Sequence, residues 1–280
     1  MYIFHKTKDL QTFLNKYRKL GKSIGYVPTM GALHQGHISL ITASKRDNDI
    51  TVCSIFVNPT QFNNAEDLIK YPKTIDADIL KLELAQCNVL FLPAVTEMYP
   101  NGLDAVEHYE LGNVEKVLEG EFRPGHFQGV AQIVDRFLTI IQPNHLYMGQ
   151  KDYQQCAVIA QLLDIKNHKT QLHIASIIRE ADGLAMSSRN SRLSDTDRQR
   201  SNIIYQCLVS IQAQNGIKSF EQARKENWEL LERKQIIPEY VSLRNAKTLE
   251  ELEDYDNTQE MVLLIAAYVG SIRLIDNLVI

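Results

Sequence analysis

A stretch near the amino terminus decides the fold: residues 23–37 read SIGYVPTMGALHQGH. Residues 23–27 are apolar enough for a buried strand, which we expect Pro28 to close. Residues 38–43 then place apolar side chains at helical spacing. A buried strand followed by a glycine-containing turn and a helix is typical of a parallel sheet whose strand ends open into a binding crevice.

The same alternation of apolar runs and helical patterns continues to about residue 180. Residues 50–57 are almost all apolar or β-branched, as expected for a strand buried on both faces. Because strands that alternate with helices form parallel sheets, we predict a Rossmann-like, doubly wound α/β domain over residues 1–180. Further strands are predicted at 88–92 and 145–148, and helices at 76–85, 130–141 and 153–163.

The pattern changes in the last third of the chain. We predict a smaller C-terminal α+β domain over residues 181–280, joined to the first near residues 180–192 and acting as a lid. The segment 194–214 is predicted to form one long helix, capped by Ser194 and with acidic residues in its first turn. A further helix is predicted at 220–234, and strands at 240–243 and 261–269.

The composition is that of a globular protein with a proper core: 280 residues, 44% hydrophobic and 23% charged. A formal charge of −4 argues against a protein that coats nucleic acid. The longest uncharged apolar run, 261–269, is far shorter than the roughly 20 residues of a membrane span, so no membrane association is expected. The four cysteines lie far apart without metal-ligand spacing, which predicts a cytoplasmic protein with no disulfide framework.

A P-loop is the first phosphate-binding motif to exclude. Residues 21–23, GKS, resemble its end, but Lys16 stands where a P-loop has its first glycine. The predicted strand also follows this segment, whereas in a P-loop the strand comes first. We therefore assign no phosphate-binding role to these residues.

The strongest candidate for phosphate chemistry is HQGH at residues 34–37. Its two histidines are spaced to share one face where the turn enters a helix. The amino terminus of a helix favours an anion, and imidazoles beside it add donors for phosphate oxygens. Gly31 and Gly36 let the backbone approach a ligand closely. Two solvated surface histidines or a zinc pair are the alternatives, although no third zinc ligand is evident.

Polar clusters follow other predicted elements: NPTQF at 58–62, GQKDYQQ at 149–155 and MSSRN at 186–190. Amides in the first suit a carboxylate or hydroxyl ligand, and the second adds a cation. The hydroxyls and guanidinium of the third suit phosphate oxygens. Each cluster alone fits a solvated turn or a helix cap. Since ligands bind where strand ends meet, we expect the clusters to form one site with HQGH.

Together these segments resemble one enzyme family. HxGH is the motif of nucleotidylyltransferases and class I aminoacyl-tRNA synthetases, and residues 186–189 stand where those enzymes carry a KMSKS-like loop. The full set narrows the resemblance to the pantothenate synthetases (pantoate–β-alanine ligases), over essentially the whole chain. Gln150 and Gln132 depart from that family, where Glu and Thr are expected. The matching blocks are PTMGALHxGH, IFVNPxQF, RPGHFxGV at 123–130, KDYQQ, MSSRN and RLIDN at 273–277.

The resemblance implies an ATP-dependent condensation of pantoate with β-alanine in two steps, within coenzyme A biosynthesis. The carboxylate of pantoate would attack the α-phosphate of ATP, giving pantoyl adenylate and pyrophosphate. The amine of β-alanine would then displace AMP and form pantothenate. The resemblance also implies a homodimer. Mg²⁺ would arrive with ATP and be held largely by phosphate oxygens and water, so no protein ligand is assigned to it.

The resemblance also assigns roles residue by residue. His34, His37 and Lys151 are the expected catalytic residues, with His37 as the proton donor to the leaving pyrophosphate. Gln61 and Gln155 would hold pantoate, and Gln61 also β-alanine. ATP contacts are expected from Met30, Gly31, Ala32, Leu33, His34, Gln35, Gly36, His37, Gly149, Gln150, Lys151, Asp152, Ile178, Met186, Ser187, Ser188 and Arg189.

Five further residues stay open between two roles. Asp76 and Asp78 fit either outer Mg²⁺ ligands or a solvated helix start. Arg123 and His126 fit either a loop that covers the site or a structural turn. Asn58 is expected to support either the pantoate pocket or the phosphates.

Three other functions share parts of the pattern. A nucleotidylyltransferase that moves AMP or CMP onto a phosphate acceptor also needs HxGH, but Gln61 and Gln155 suit a hydroxy acid better than a phosphate. A tRNA-charging enzyme is disfavoured by the acidic balance and the lack of room for an anticodon domain. A non-catalytic nucleotide sensor would need fewer of these groups, and it would bind ATP without releasing pyrophosphate.

Overall fold

The structure, a computed structural model, describes residues 1–103 and 107–280. Internal packing divides the described chain into two compact units, each made of two segments. The division into domains at residue 180 stays a prediction. The first unit comprises Met1–Gly149 and Gln154–Ala175, and the second comprises Gln150–Tyr153 and Ser176–Ile280.

In the described residues the first unit contains six parallel strands: β1 (Tyr2–Phe4), β2 (Ile24–Thr29), β3 (Ile50–Ile55), β4 (Val89–Phe91), β5 (His145–Gly149) and β6 (Gln171–Ala175). Their order in the sheet is β1-β4-β3-β2-β5-β6. After β2 the chain builds the sheet in one direction as far as β4, and from β5 it builds in the other. The order therefore reverses between β2 and β5, which is where open α/β sheets bind their ligands.

Helices cover both faces of this sheet. Helices α2 and α4 pack on one face, and α1, α7 and α8 pack on the other. In chain order the helices are α1 (Thr7–Lys19), α2 (Gln35–Asp47), α3 (Ala65–Ile69), α4 (Ile75–Leu84), α5 (Val95–Met98), α6 (Glu119–Phe122), α7 (His126–Ile141) and α8 (Tyr153–Ile165), and a 3-10 turn spans Pro59–Gln61.

The alternation of side chains along β3 shows why helices are needed on both faces. Ile50 and Val52 join the apolar cluster with α1, α7 and α8, whereas Cys53 and Ile55 join the cluster with α2 and α4. Every residue of β3 is buried. A strand that is apolar on both faces is stable only between two layers of helices, and this confirms the predicted doubly wound α/β fold.

The expectation that Pro28 closes the strand is wrong, because β2 continues through Pro28 to Thr29. Pro28 pairs in register with Ser54 of β3. On the other side, the pairing of β2 with β5 ends at Tyr26. The N–H that proline lacks therefore breaks no hydrogen bond of the sheet on that side.

The second unit is built around an antiparallel sheet, in the order β7-β8-β9. Helices packed against it complete an apolar core of its own, as the predicted α+β character requires. Its strands are β7 (Ile236–Asn245), β8 (Met261–Val269) and β9 (Ile272–Val279), and its helices are α9 (Asp195–Ser201), α10 (Ile203–Ala213) and α11 (Phe220–Arg233).

The single helix predicted over 194–214 is wrong, because the structure has two helices that meet at Asn202. The ψ angle of Asn202 is −17°, shallower than in an α-helix, and its carbonyl accepts from the N–H groups of both Tyr205 and Gln206, so 3-10 and α-helical bonds share this acceptor. Asparagine is a weak helix former, so the break falls at this residue. The cap is as expected: the Ser194 hydroxyl accepts from the N–H of Asp197 at 3.1 Å.

None of the helices in the described ranges is both long and apolar enough to cross a membrane. The four cysteines are buried, and no disulfide joins them. Burial raises the pKa of the Cys87 thiol to about 11 and that of Cys207 to about 12. These two thiols therefore stay protonated near neutral pH and are poor nucleophiles.

Two leucines on α4 offer a direct test of this packing. Leu82 is fully buried between α4 and the sheet, whereas 76% of Leu84 is exposed. We expect Leu82→Ala to lower the free energy of unfolding by about 2–5 kcal/mol, because it leaves a cavity. Leu84→Ala, the control on the same helix, should change it by less than about 0.5 kcal/mol. Equal losses in urea denaturation would contradict the described orientation of α4.

Candidate active site

The turn after β2 carries the chain from the sheet into α2. Gly31 has a φ of 84° and Ala32 a φ of 48°, both in the left-handed region. A Cβ on Gly31 would lie 3.1 Å from Cγ2 of Ile55 and 3.2 Å from Oδ2 of Asp78. Glycine at this position therefore lets the backbone lie close to both side chains.

A buried carboxylate holds this turn in place. Oδ2 of Asp78 accepts from the N–H of Ala32 at 2.9 Å, and Oδ1 accepts from the N–H of Leu33 at 2.8 Å. The hydroxyl of Thr74 also donates to Oδ2, at 3.1 Å. Asp78 is fully buried, so the solvated helix start fits only its exposed neighbour Asp76.

Asp78 is a residue whose role the sequence analysis left open. A signal was present, because Asp78 lies one helical turn before the buried Leu82 and therefore on the inward face of α4. A carboxylate at an inward position needs hydrogen-bond donors, and two backbone N–H groups of the turn provide them.

His34 and His37 form a reciprocal cap at the amino terminus of α2. Nδ1 of His34 accepts from the N–H of Gly36, and Nδ1 of His37 accepts from the N–H of His34, both at 3.2 Å. The ring centroids are 4.0 Å apart. Since each Nδ1 is an acceptor, the proton of each neutral ring is on Nε2, which makes both histidines Nε2–H donors.

The segment after β3 carries Gln61, another expected site residue, and places it against Met30 in the turn after β2. Nε2 of Gln61 lies 3.1 Å from Sδ of Met30, so these two predicted site residues are in contact. Asn58 is buried and binds the protein itself: its amide donates to the carbonyl of Gly129 at 3.0 Å, and it accepts from Tyr99. Asn58 therefore supports the segment that carries Gln61.

The RPGHFxGV block packs directly against this segment. The ring of His126 is buried, and its Nδ1 lies 2.8 Å from the carbonyl oxygen of Gln61, to which it donates. A Cβ on Gly129 would lie 2.5 Å from the carbonyl oxygen of Thr60, so only glycine permits this approach of α7. Of the two roles left open for His126, the structure supports the structural one. Arg123 lies 3.6 Å from the carboxylate of Glu119.

The adjacent glutamines on α8 have different environments. Gln155, expected to hold pantoate, is half-buried, whereas Gln154 is buried. Gln154 accepts from the N–H of Glu119 at 3.0 Å and donates to the carbonyls of Val114 and Val117 at 2.7 Å. Gln154 is not among the predicted site residues, since nothing in the motif distinguishes the two amides.

Within the second unit, a hairpin links two of the expected ATP-binding segments. The N–H of Met186 donates to the carbonyl of Ile178 at 3.0 Å, and Arg179 pairs with Ala185. The Ser187 hydroxyl accepts from the N–H of Arg189 at 3.2 Å, as the cap of a 3-10 turn over Ser188–Arg192.

The remaining expected residues of the second unit lie in the turn Gln150–Asp152. The Lys151 ammonium is 3.7 Å from the Asp152 carboxylate, and Lys151 is mostly buried. Near this turn, burial raises the pKa of Asp276, and the ion pair with Arg179 opposes that shift. Across the described ranges, no group of three or more histidine, cysteine or acidic side chains forms a metal site.

Comparison with known proteins shows which family this chain resembles. A sequence profile of pantoate-beta-alanine ligases matches residues 2–279. The pantothenate synthetase of Cytophaga hutchinsonii is 44% identical over 277 residues, which are 98% of this chain and 97% of that one. That of Azobacteroides pseudotrichonymphae is 40% identical over 284 aligned positions, covering 99% of each chain.

The chain belongs to the pantoate-beta-alanine ligase family. Its activity is the ligation of pantoate to β-alanine, which is the synthesis of pantothenate.

Solved structures of ligases in this family have the same fold. The pantothenate synthetase of Thermus thermophilus superposes with a TM-score of 0.91 at 35% identity, over 99% of each chain. The Francisella tularensis ligase superposes with a TM-score of 0.84 at 36% identity, over 99% of this chain and 97% of that one. The Francisella crystal structure is a complex with beta-gamma ATP and β-alanine.

Asp78→Asn tests whether the buried carboxylate holds the turn after β2. Asparagine keeps the shape of aspartate but has one acceptor oxygen, so it cannot accept from both Ala32 and Leu33. Hydrogen bonds to a charged group contribute about 1.5–3 kcal/mol, and we expect pantothenate formation to slow by about 10- to 100-fold. Asp76→Asn is the matched control in the same helical turn and should stay within about twofold. Equal activity of both variants in a coupled pantothenate assay would rule this role out.

Gly129→Ala tests the contact between α7 and the segment that carries Gln61. In an open helix this substitution stabilises by about 0.5–1 kcal/mol. At Gly129 the new Cβ would overlap the carbonyl of Thr60, so we expect a loss of about 1–3 kcal/mol in unfolding free energy and weaker pantothenate formation. Urea denaturation gives the sign directly. Stabilisation would contradict the close approach.

Proposed function

We propose that this ligase works through a pantoyl-adenylate intermediate, with ATP as the activating substrate. The observation that carries the proposal is the reciprocal cap of His34 and His37, which leaves both rings as Nε2–H donors at the amino terminus of a helix. Further support comes from the Francisella relative, which was crystallised with beta-gamma ATP and β-alanine and aligns over nearly its whole length.

In the first step, a carboxylate oxygen of pantoate forms a bond to the α-phosphorus of ATP. The bond from that phosphorus to the bridging oxygen breaks, and pyrophosphate leaves. Two anions meet in this step, so it requires fixed donors and cations. Nε2–H of His37 donates a hydrogen bond to the leaving pyrophosphate, and His34 donates to the triphosphate beside it.

Residues of the second unit neutralise the phosphates. Lys151 supplies a point charge to phosphate oxygens, and Ser187, Ser188 and Arg189 bind the β- and γ-phosphates. The Ser187 hydroxyl accepts its capping bond from Arg189, so its own proton remains for a phosphate oxygen. The backbone at Ile178 borders the adenine, and the turn Gln150–Asp152 contacts the nucleotide. Residues 30–37 and Gly149 are also proposed to contact ATP.

In the second step the amine of β-alanine attacks the acyl carbon of the adenylate. The acyl carbon–oxygen bond breaks, AMP leaves and the nitrogen loses a proton. Gln61 and Gln155 hold pantoate by its hydroxyls and carboxylate, and Gln61 also contacts β-alanine. Amides suit these groups because they both donate and accept, whereas a phosphate acceptor would require additional cations. Asn58 donates to the side-chain oxygen of Gln61, and His126 donates to its backbone carbonyl. Gly129 lets α7 pack closely against the same segment.

Mg²⁺ enters this account with ATP. The oxygens of Asp78 already accept from two backbone N–H groups and a hydroxyl, so this buried carboxylate is not available as a metal ligand. The residues therefore fit an ion held by phosphate oxygens and water, which would offset phosphate charge. We further propose a cytoplasmic location, from the cysteine usage, and a lid formed by residues 181–280, from the position of the 186–190 loop. A homodimer is proposed from the family resemblance.

Pyrophosphate release tests the reaction order. With ATP, Mg²⁺ and pantoate, we expect pyrophosphate release that requires pantoate. AMP and pantothenate should accumulate only after β-alanine is added. Release that is supported only by a phosphorylated acceptor would favour a nucleotidylyltransferase, and ATP binding without release would favour a nucleotide sensor.

The same assay tests His37. We expect His37→Ala to slow pantoate-dependent pyrophosphate release by about 10²- to 10³-fold, the range for loss of one fixed hydrogen-bond donor to the transition state. His108 is exposed, and His108→Ala should retain full activity as the matched histidine control. A His37→Ala enzyme that releases pyrophosphate at the unmodified rate would contradict the proposed donor role of His37.

A further inference from the structure

The RLIDN block at residues 273–277 has no role in the proposed function. It lies on β9, one of the two edge strands of the antiparallel sheet. Asp276 and Asn277 are almost completely buried, at 3% and 1% exposure. Buried polar side chains at the end of a sheet need partners, and the partners of these two residues lie in the expected ATP-binding segments.

Asn277 binds the turn that carries Lys151. Its Nδ2 donates to the carbonyl of Gln150 at 2.9 Å and to the carbonyl of Lys151 at 3.0 Å. Its Oδ1 accepts from the Gln150 amide at 3.2 Å. Both amide hydrogens and the carbonyl oxygen of Asn277 are therefore used on this one turn.

Gln150 makes this contact through its side-chain amide, and glutamine is the residue that departs from the family pattern at this position. A glutamate at this position has no amide hydrogen to donate to Oδ1 of Asn277. In this chain the two side chains are complementary, with Gln150 as donor and Asn277 as acceptor.

Asp276 binds the second expected segment. Its carboxylate receives two hydrogen bonds from the Arg179 guanidinium, at 2.6 and 3.0 Å. The same guanidinium lies over the Tyr205 ring at 3.7 Å from the centroid. Arg179 follows Ile178, whose carbonyl anchors Met186. Asp276 thus fixes the start of the hairpin that leads to Ser187.

The two contacts on β9 are themselves connected. Oδ1 of Asp276 accepts from the N–H of Asn277 at 2.8 Å, and Arg179 also donates to the carbonyl of Asn277 at 3.3 Å. A shift at one segment would therefore disturb hydrogen bonds at the other.

From these contacts we propose that Asn277 is a positioning residue: its amide fixes the Lys151 turn for phosphate binding, and Asp276 with Arg179 holds the Ile178 hairpin to the same strand. This inference rests on the proposed function, in which Lys151 binds ATP phosphates. It places no group of β9 on the substrate.

The test measures ATP affinity without pantoate, by calorimetry, in a double-mutant cycle of Asn277→Ala and Lys151→Ala. Loss of the three hydrogen bonds between the Asn277 amide and this turn predicts that Asn277→Ala weakens ATP binding about tenfold. If Asn277 acts through Lys151, adding Asn277→Ala to Lys151→Ala should weaken binding by less than about twofold. The Michaelis constant for β-alanine should not change.

Two controls separate positioning from a weakened fold. Arg273 lies in the RLIDN block on β9 and forms an ion pair with Glu239 of β7. Glu239→Gln removes this ion pair, and it should lower stability without changing ATP affinity. Asn277→Asp keeps the side-chain shape but cannot donate to either carbonyl, so it should reproduce the loss if the alanine variant unfolds.

The outcomes distinguish a failure of the proposed role of Lys151 from a failure of the inference about Asn277 alone. Unchanged ATP affinity in Lys151→Ala would contradict the proposed role of Lys151 and, with it, this inference. Weaker binding in Lys151→Ala together with unchanged affinity in both Asn277 variants would overturn the inference alone. Equal losses from Asn277→Ala with and without Lys151 would also overturn it, because Asn277 would then act by another route.

Discussion

Strands β2 and β3 lie at the centre of a parallel sheet and are buried on both faces by helices. A polar side chain within them must find its partner inside the protein, as Tyr26 does with Ser54 at 2.8 Å. Polar side chains that bind a ligand can therefore lie only beyond the ends of these strands. Residues 30–37 follow β2 and the segment around Gln61 follows β3, which is why both sets of expected site residues lie at that edge of the first unit.

The same requirement explains the residues behind the site. Asp78, His126 and Gln154 are buried polar side chains, and each forms hydrogen bonds with backbone atoms of a loop. In the second unit Asn277 does the same for the turn at Lys151. Side-chain bonds to a loop backbone restrict the loop, and those from Asn277 do so without using the Lys151 ammonium. A hydrogen bond that is needed to stabilise the fold thus also positions the site.

Much of the fold could be predicted from the sequence, because a strand buried on both faces has a distinctive composition. The runs at β2, β3 and β4 show it clearly, and so does the alternation of strands with helices. Strand β1 has only three residues, and β6 is an edge strand with exposed positions, so neither presents a continuous apolar pattern. The break at Asn202 is a local backbone event that apolar spacing does not report.

The residues of the candidate site also include some that could be predicted from the sequence and some that could not. Residues expected to face a ligand, such as His34, His37 and Gln61, could be named because polar groups at a strand end are informative in one sequence. The residues that hold them could not, because their partners are distant along the chain: Asp78 binds Leu33, and Asn277 binds Lys151. Gln154 and Gln155 have the same side chain, and only the fold tells which one is buried.

The central claim about the chemistry is that a pantoate oxygen attacks the α-phosphorus of ATP. Transfer of isotope from pantoate labelled with ¹⁸O in its carboxylate tests this directly, with products analysed by mass spectrometry after a full turnover with β-alanine. The account predicts one ¹⁸O in the phosphate of AMP, one in the amide carbonyl of pantothenate and none in pyrophosphate. AMP without label would contradict the acyl-adenylate route.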